Sequence, residues 1–298
     1  MQNLCMSKPS VPLAHVKRAL QKRWGSFSGL QALASGLTSQ VFSFHSGDAE
    51  YVIRISDSPY SFQKDAFVSD SFASPSLPIP KVVKLGRLDA ETHFCISQRA
   101  SGVPLQALTT SEFVGVTNAV INVMNAINKA NLIGTRGFGR FDAQGQAPHK
   151  TWAAFLLTVT DAQIFDWSGK VGQGDKSVVS RATSTVRELV QACPELRCLL
   201  HGDFGSYNVL SDGERVTGVI DWDLGLLGDP LYDVANLFFW QEEQMLPLIE
   251  QLENGREHLP QWQERVLCYQ LHIGLNEIYY ERYDACWLID RCKAIMDL

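Results

Sequence analysis

The length of 298 residues and a composition that is 45% hydrophobic and 19% charged are typical of a globular protein with one or two domains. The seven cysteines form no CxxC pair, which argues against a zinc site and favours reduced thiols in the cytoplasm. No apolar stretch approaches the ~18 residues of a membrane span, so we expect no association with a membrane.

Charge is unevenly distributed along the chain. The net charge is −6, yet residues 201–298 alone contain 18 Asp and Glu residues against 6 Lys and Arg. An acidic surface concentrates cations and repels nucleic acid, so we expect a cationic small molecule, and no nucleic acid, as the partner. A solvated acidic surface without a binding role is the alternative explanation.

The first third of the chain predicts a small antiparallel sheet with one inserted helix. Residues 11–24 repeat apolar positions at helical spacing. The segments that follow are short and rich in β-branched and aromatic residues, with turn signals between them, apart from one helical stretch at 61–73. The expected strands are residues 29–33, 40–44, 51–55, 82–85 and 92–97. We assign residues 1–97 to this first lobe.

Residues 98–298 predict a second, larger and mainly helical lobe. Six segments have apolar residues at helical spacing. The expected helices are residues 111–130, 151–159, 177–192, 229–240, 261–282 and 284–296. Together the two parts predict an α+β protein with two lobes.

One segment of the second lobe carries the pattern of phosphoryl transfer. In HGDFGSYN, Asp203 precedes Asn208 by five residues, and VIDW places Asp221 at the end of an apolar strand after a hairpin turn. Kinase-type transfer uses a carboxylate to accept the hydroxyl proton, and an Asn and an Asp to hold Mg²⁺. Taken singly, either aspartate could instead cap a turn or end a strand.

Several stretches of the chain resemble the aminoglycoside phosphotransferase and choline kinase family, which has a protein-kinase-like fold. They are YVIRIS (51–56), residues 64–80, residues 95–108, HGDFGSYNVL, VIDW and VANLFFW (234–240). The resemblance extends from about Leu33 to the last helix and is weakest at 241–261. It is greatest to the members that act on hygromycin B, which makes this antibiotic the leading candidate substrate.

The resemblance implies roles for particular residues. Asp203 would be the catalytic base, and Asn208 and Asp221 would bind Mg²⁺ beside ATP or GTP. Arg54 stands where the family usually has a lysine that contacts phosphates, and Asp65 stands where its glutamate partner is usual. The changes compensate, because a forked guanidinium can reach a shorter carboxylate.

Further candidates surround this core. For the nucleotide they are the turn residues Gly36 and Ser39, which a simple hairpin would also explain, and the main chain of Ser97, Gln98 and Ala100. For a cationic substrate they are the carboxylates Asp223, Glu242, Glu243, Glu277 and Glu281, each of which alone could be a surface residue. His201, Asp229 and Asp233 are expected to hold structure.

The sequence thus predicts an ATP-dependent O-phosphotransferase that modifies an aminoglycoside hydroxyl and confers resistance, as a cytoplasmic monomer or weak dimer. A kinase of a metabolic amine, amino alcohol or sugar is the first alternative. A quaternary ammonium would call for an aromatic cage, whereas carboxylates suit an aminocyclitol. A non-catalytic nucleotide-binding protein is the second alternative, and the intact set of Asp203, Asn208 and Asp221 argues against it.

Overall fold

The computed structural model describes residues 9–33, 39–256, 259–280 and 284–297. Its first part is the predicted antiparallel sheet, preceded by helix α1 (Leu13–Arg23). The five strands are β1 (Ser28–Ala32), β2 (Gln40–Ser46), β3 (Ala49–Ser56), β4 (Val82–Arg87) and β5 (His93–Gln98). They lie in the order β1-β2-β3-β5-β4, so β3 and β5 are interior strands.

One face of the sheet is covered by α1. Val16 and Leu20 of that helix share a buried cluster with Phe44 of β2 and Ile53 and Ile55 of β3. The odd positions of β3 therefore point into this core, and because side chains alternate along a strand, Arg54 points to the opposite face. The strand register places Arg54 opposite Val41 of β2 and Cys95 of β5.

The inserted helix α2 (Tyr60–Phe72) packs between the two lobes. Its buried residues recur at helical spacing, and Val68 and Phe72 belong to the core of the second lobe rather than to that of the sheet. Lys64 and Asp65 are also buried on this helix. Helix α2 therefore places the polar side chains of Lys64 and Asp65 where the sheet lobe contacts the second lobe.

The second lobe is mainly helical, as predicted, and surrounds short strands. In chain order its elements are β6 (Val103–Pro104), α3 (Thr110–Asn128), β7 (Gly139–Arg140), α4 (Trp152–Leu156), α5 (Lys176–Leu189), β8 (Cys198–Leu200), β9 (Val209–Ser211), β10 (Val216–Val219), β11 (Leu226–Gly228), α6 (Leu231–Trp240), α7 (Leu246–Arg256), α8 (Trp262–Tyr280) and α9 (Ala285–Met296).

Two details of this lobe differ from the expectation. Helix α7 lies in the stretch where no helix was predicted, and its apolar residues Leu248, Ile249 and Leu252 are buried in the main core. Strand β10 ends at Val219, so Asp221 does not end a strand as expected but lies two residues beyond it. Within the described ranges, no helix is long and apolar enough to cross a membrane.

Candidate active site

The loop between β8 and β9 is held at both ends by carboxylates from the region of α6. Asp233 accepts hydrogen bonds from the backbone N–H groups of His201 and Gly202, each at 2.8 Å. Glu242, just after α6, accepts hydrogen bonds from the backbone N–H of Ser206 at 3.2 Å and from its hydroxyl. The loop therefore has a fixed path between these anchors.

Asp203 and Asn208 meet within this loop. The side-chain amide nitrogen of Asn208 donates to the carbonyl oxygen of Asp203 at 2.9 Å and to its Oδ2 at 3.0 Å. Because the nitrogen is used in these bonds, Oδ1 of Asn208 is the atom that could bind a metal ion. The other carboxylate oxygen of Asp203 takes no part in these bonds.

Asp221 is adjacent to Asn208 across the β9–β10 hairpin. Strand pairing brings Val219 opposite Val209, and the N–H of Ile220 donates to the carbonyl oxygen of Asn208 at 2.9 Å. The next residue is Asp221, which has φ of 63° and is exposed to solvent. The two predicted metal ligands are thus brought together at one end of the hairpin.

The carboxylates of this cleft oppose one another's ionisation. Burial raises the pKa of Asp203 to about 7, with Asp221 and Glu277 adding repulsion. Although part of Asp221 is exposed, the protein packed around the rest of it raises its pKa to about 6, and Asp65 adds to the rise. A bound cation would reverse these shifts, because it favours the charged form of a nearby carboxylate. The cleft is therefore built for a positively charged ligand.

His201 is a structural residue of the loop, as predicted. Its ring is fully buried beside Trp222, and Nε2 lies 3.0 Å from the carbonyl oxygen of Ile220. Burial lowers the pKa of His201 to about 4, so the ring is neutral at physiological pH. Asp229 is likewise structural, since both its oxygens accept hydrogen bonds from the buried guanidinium of Arg265.

Arg54 and Asp65 form the predicted ion pair on the sheet-lobe side of the cleft. The Nη2 atom of Arg54 donates to Oδ2 of Asp65, and the guanidinium lies over the ring of Phe62. The other carboxylate oxygen of Asp65 accepts a hydrogen bond from the N–H of Trp222 at 3.0 Å. The aspartate therefore joins Arg54 to the residue that follows Asp221.

The other nucleotide-side candidates lie at or near the ends of strands β2 and β5. Ser97 and Gln98 end β5, and the N–H of Gln98 already donates to the carbonyl oxygen of Lys81 at 2.9 Å. Ala100 lies against Gly218, where an added Cβ would come within 2.7 Å of the alanine methyl. Ser39 is half-buried directly before β2. Gly36 lies outside the described residues.

The substrate-side carboxylates fall into different environments. Glu277 is buried on α8 near Asp203, and Asp223 is half-buried two residues after Asp221. Glu242 is half-buried and bonded to Ser206, whereas Glu243 is exposed at the start of a short 3₁₀ turn. Glu281 lies outside the described residues. Of the described candidates, Glu277 and Glu242 both contribute negative potential at Asp203.

Sequence reasoning missed Lys64, which donates two hydrogen bonds to the chain just after Asp221. It also missed that Glu242 holds the loop between β8 and β9 through Ser206. A signal for Lys64 was present, since its spacing from Val68 places it on the buried side of α2. Glu242 had no such signal; its contact is visible only in the structure, where a Cβ on Gly205 would lie 2.8 Å from Oε1 of Glu242.

Comparison with known proteins gives consistent matches over nearly the whole chain. A profile of the phosphotransferase enzyme family matches residues 29–265. Hygromycin-B 4-O-kinase of Escherichia coli is 36% identical over 301 residues, covering 98% of this chain and 87% of the relative. These matches agree with the resemblance seen in the motifs.

Solved structures agree. The crystal structure of aminoglycoside phosphotransferase APH(4)-Ia has a TM-score of 0.91 at 36% identity, covering 96% of this chain and 99% of that one. A thermostable mutant of that enzyme, in a ternary complex with AMP-PNP and hygromycin B, has a TM-score of 0.90 at 38% identity, covering 95% and 98%. The predicted resemblance and the bilobal protein-kinase-like α+β fold are confirmed.

Proposed function

The chain belongs to the phosphotransferase enzyme family, and on that premise we propose that it transfers the γ-phosphoryl group of ATP to a hydroxyl of an aminoglycoside, with hygromycin B as the substrate and antibiotic resistance as the result. The observation that carries the proposal is the junction of Asp203, Asn208 and Asp221. Asn208 is bonded to Asp203 through its side chain and to Ile220 through its backbone. One candidate base and two candidate metal ligands therefore share one corner of the cleft.

In this proposal Asp203 orients the acceptor hydroxyl and takes its proton. A general base must be ionised to act, and the raised pKa of Asp203 gives it a strong affinity for the proton that it removes. The bond from Asn208 fixes one carboxylate oxygen, which leaves the other to face the hydroxyl. Positioning of the nucleophile is the main task of the protein in phosphoryl transfer, because little covalent chemistry falls to its side chains.

Asn208 and Asp221 would hold Mg²⁺. An amide oxygen and one carboxylate suit this ion, which usually takes one or two protein carboxylates and completes its octahedron with phosphate oxygens and water. No group of three or more His, Cys, Asp or Glu side chains in the described part of the chain could hold a metal alone, so nucleotide phosphates would have to complete the site. When bound, the ion neutralises charge on the phosphoryl group in transfer.

We propose that Arg54 contacts the nucleotide phosphates, with Ser39, Gly36 and the main chain of Ser97, Gln98 and Ala100 lining the nucleotide site. Asp65 holds the guanidinium and shares it with a phosphate oxygen, since an arginine presents several donors in one plane. We also propose that the first lobe ends at residue 97 and the second begins at residue 98, the last residue of β5.

The substrate would bind through its ammonium groups to the acidic side of the cleft. Glu277 and Asp223 are the strongest candidates, because the charge of Glu277 acts on Asp203 and that of Asp223 acts on Asp221. Glu242, Glu243 and Glu281 are the remaining candidates. The relative of known activity is named as a 4-O-kinase of hygromycin B, which supports this antibiotic and its 4-hydroxyl as the acceptor. The monomeric or weakly dimeric state and the cytoplasmic location stay predictions.

A coupled ADP-release assay with hygromycin B, kanamycin, choline and homoserine tests the proposal. We expect turnover with hygromycin B in the presence of Mg²⁺ and ATP, little with the other three acceptors, and a rate about 10²–10⁴-fold lower with Asp203→Asn. Phosphorus–proton correlation NMR of the product should place the phosphate on the 4-oxygen. Preferred turnover of choline or homoserine would replace the aminoglycoside with the metabolic alternative, and a comparison of ATP with GTP would identify the donor.

A further inference from the structure

Lys64 is a buried lysine between α2 and the loop that follows Asp221. Only 1% of its surface is exposed. Its Nζ atom donates to the carbonyl oxygen of Asp223 at 2.8 Å and to that of Gly225 at 2.7 Å, and it lies 4.4 Å from the centre of the Phe141 ring. Burial of an ammonium group is costly unless hydrogen bonds replace its water. These contacts supply that replacement.

Two successive residues of α2 therefore bind the same loop. Lys64 binds the carbonyl groups of Asp223 and Gly225, and Asp65 accepts from the N–H of Trp222. The three bonds engage the main chain one, two and four residues after Asp221. The loop also packs closely on Phe141, because a Cβ on Gly225 would lie 3.1 Å from its ring.

The backbone of Asp221 needs such support. Its φ of 63° is in the left-handed region, which costs a residue with a Cβ roughly 1 kcal/mol or more. A conformation of this kind persists where the surroundings fix it. The bonds from α2 begin at the very next residue, so they act directly on the peptide that sets the direction of the Asp221 side chain.

We propose that Lys64 is a positioning residue, which holds the loop 222–225 from the sheet lobe and so fixes Asp221 in the orientation that binds Mg²⁺. The inference rests on the proposed function, because it takes Asp221 as a metal ligand. It adds a residue from the helix of the other lobe, which acts on Asp221 only through the carbonyl groups of Asp223 and Gly225. In this arrangement Arg54 contacts the nucleotide phosphates, whereas Lys64 contacts the loop that follows Asp221.

The test compares Lys64→Met with the wild-type protein. Methionine fills a similar volume without donors, so packing is largely kept while both hydrogen bonds are lost. Calorimetry should measure ATP binding over a series of Mg²⁺ concentrations and in the absence of Mg²⁺. We expect the half-saturating Mg²⁺ concentration to rise about tenfold or more, as the loss of two buried hydrogen bonds implies, with ATP affinity in the absence of Mg²⁺ changed less than about twofold.

Two further variants make the result decisive. Lys22→Met, on the exposed face of α1, removes a lysine outside the cleft and should leave both affinities unchanged. Lys64→Arg keeps hydrogen-bond donors at this position, so this variant provides a folded protein where Lys64→Met does not fold. The planar guanidinium group directs its hydrogen bonds differently from the single Nζ of lysine. We expect a rise of about threefold in the half-saturating Mg²⁺ concentration for Lys64→Arg.

Wild-type Mg²⁺ dependence in either folded Lys64 variant would overturn the inference, and it would leave the proposed function standing. Equal losses of ATP affinity with and without Mg²⁺ would overturn it too, since they would show a general effect on the cleft. If the wild-type protein binds ATP without any dependence on Mg²⁺, the assignment of Asp221 fails and the inference fails with it. A wild type that shows Mg²⁺-dependent binding but no turnover of hygromycin B would reject only the substrate.

Discussion

The side-chain amide of Asn208 donates to a carboxylate oxygen of Asp203 at 3.0 Å, so the candidate metal ligand and the candidate base are directly joined. The same nitrogen also donates to the carbonyl oxygen of Asp203. The carboxylate is thereby held in one rotamer before any substrate binds. A prepositioned base is an advantage in phosphoryl transfer, where alignment of the nucleophile supplies much of the catalysis.

Asp203→Asn should lower kcat for hygromycin B by about 10²–10⁴-fold, because an amide cannot accept the hydroxyl proton. Affinity for ATP should change little, since the substitution keeps the size of the side chain. A coupled assay and calorimetry on the same preparation measure the two quantities. Asp212→Asn, on the exposed hairpin turn, is the matched control and should retain full activity. Turnover within about tenfold of wild type would reject Asp203 as the base.

Asp221→Ala should remove the Mg²⁺-dependent part of ATP binding, whereas Asp223→Ala should mainly raise KM for the aminoglycoside. The reason is the position of each residue. Asp221 adjoins Asn208 across the hairpin, and Asp223 lies two residues further on, with its backbone bound to Lys64. Calorimetry with ATP at saturating Mg²⁺ and steady-state kinetics with varied acceptor separate the two effects. Equal Mg²⁺-dependent affinity for ATP in wild type and Asp221→Ala would show that Asp221 is not a ligand.

Local sequence patterns predicted most of the fold. Apolar residues at spacings of two or of three and four gave the five strands and most helices, since these spacings follow from local backbone geometry. The stretch containing α7 was missed, although Leu248, Ile249 and Leu252 are buried there. Its hydrophobic pattern is broken by charged and polar residues, and its helix depends on packing against the second lobe.

The candidate site was predicted where its residues are close in sequence, and missed where they are far apart. Asp203 and Asn208 lie on one loop, so their spacing was informative. Lys64 and Gly225 are separated by 161 residues, and Ser206 and Glu242 by 36. No local pattern encodes those contacts. The left-handed conformation of Asp221 was equally hidden, because it is imposed by the loop around it.

Substitutions of Arg54 and Asp65 should have non-additive effects on kcat/KM for ATP. Asp65→Asn keeps an oxygen that can accept from Trp222 but removes the charge that holds the guanidinium. We expect kcat/KM for ATP to fall about tenfold or more for this variant, and much less when Arg54 is already lysine. The cycle should give a coupling of about 0.5–3 kcal/mol.

The control for that cycle is Arg181→Lys with Asp297→Asn, an exposed pair at the far end of the second lobe, which should be additive and nearly neutral. Asp65→Glu should have two opposing effects. The longer glutamate would reach the ammonium group introduced by Arg54→Lys. It would also move the carboxylate oxygen that accepts a hydrogen bond from the N–H of Trp222. We therefore expect Asp65→Glu to rescue Arg54→Lys only in part. Additive effects of Arg54→Lys and Asp65→Asn would contradict a shared role.

Glu277→Gln should shift the acid limb of the pH–rate profile to lower pH. The base must be ionised, so kcat/KM for the aminoglycoside should rise with pH as Asp203 loses its proton. Burial raises the pKa of Asp203 to about 7, and the charge of Glu277 is one of the repulsions that add to the rise. Neutral glutamine removes this repulsion, so the pKa of Asp203 should fall. The carboxylate then stays ionised, and kcat/KM stays high, down to a lower pH. Bound Mg²⁺ favours the ionised form of Asp203, so at saturating Mg²⁺ and ATP the limb should lie below 7 in both proteins.

The same substitution separates two roles of Glu277. If its carboxylate also binds an ammonium group of the substrate, KM should rise at every pH while the limb moves to lower pH. Glu264→Gln, exposed near the start of the same helix, removes one charge far from Asp203 and should change neither quantity. Profiles of kcat/KM between pH 5 and 9 at saturating Mg²⁺ and ATP measure the shift. A limb that stays in place, or moves to higher pH, would mean that Glu277 does not act on the group that accepts the proton.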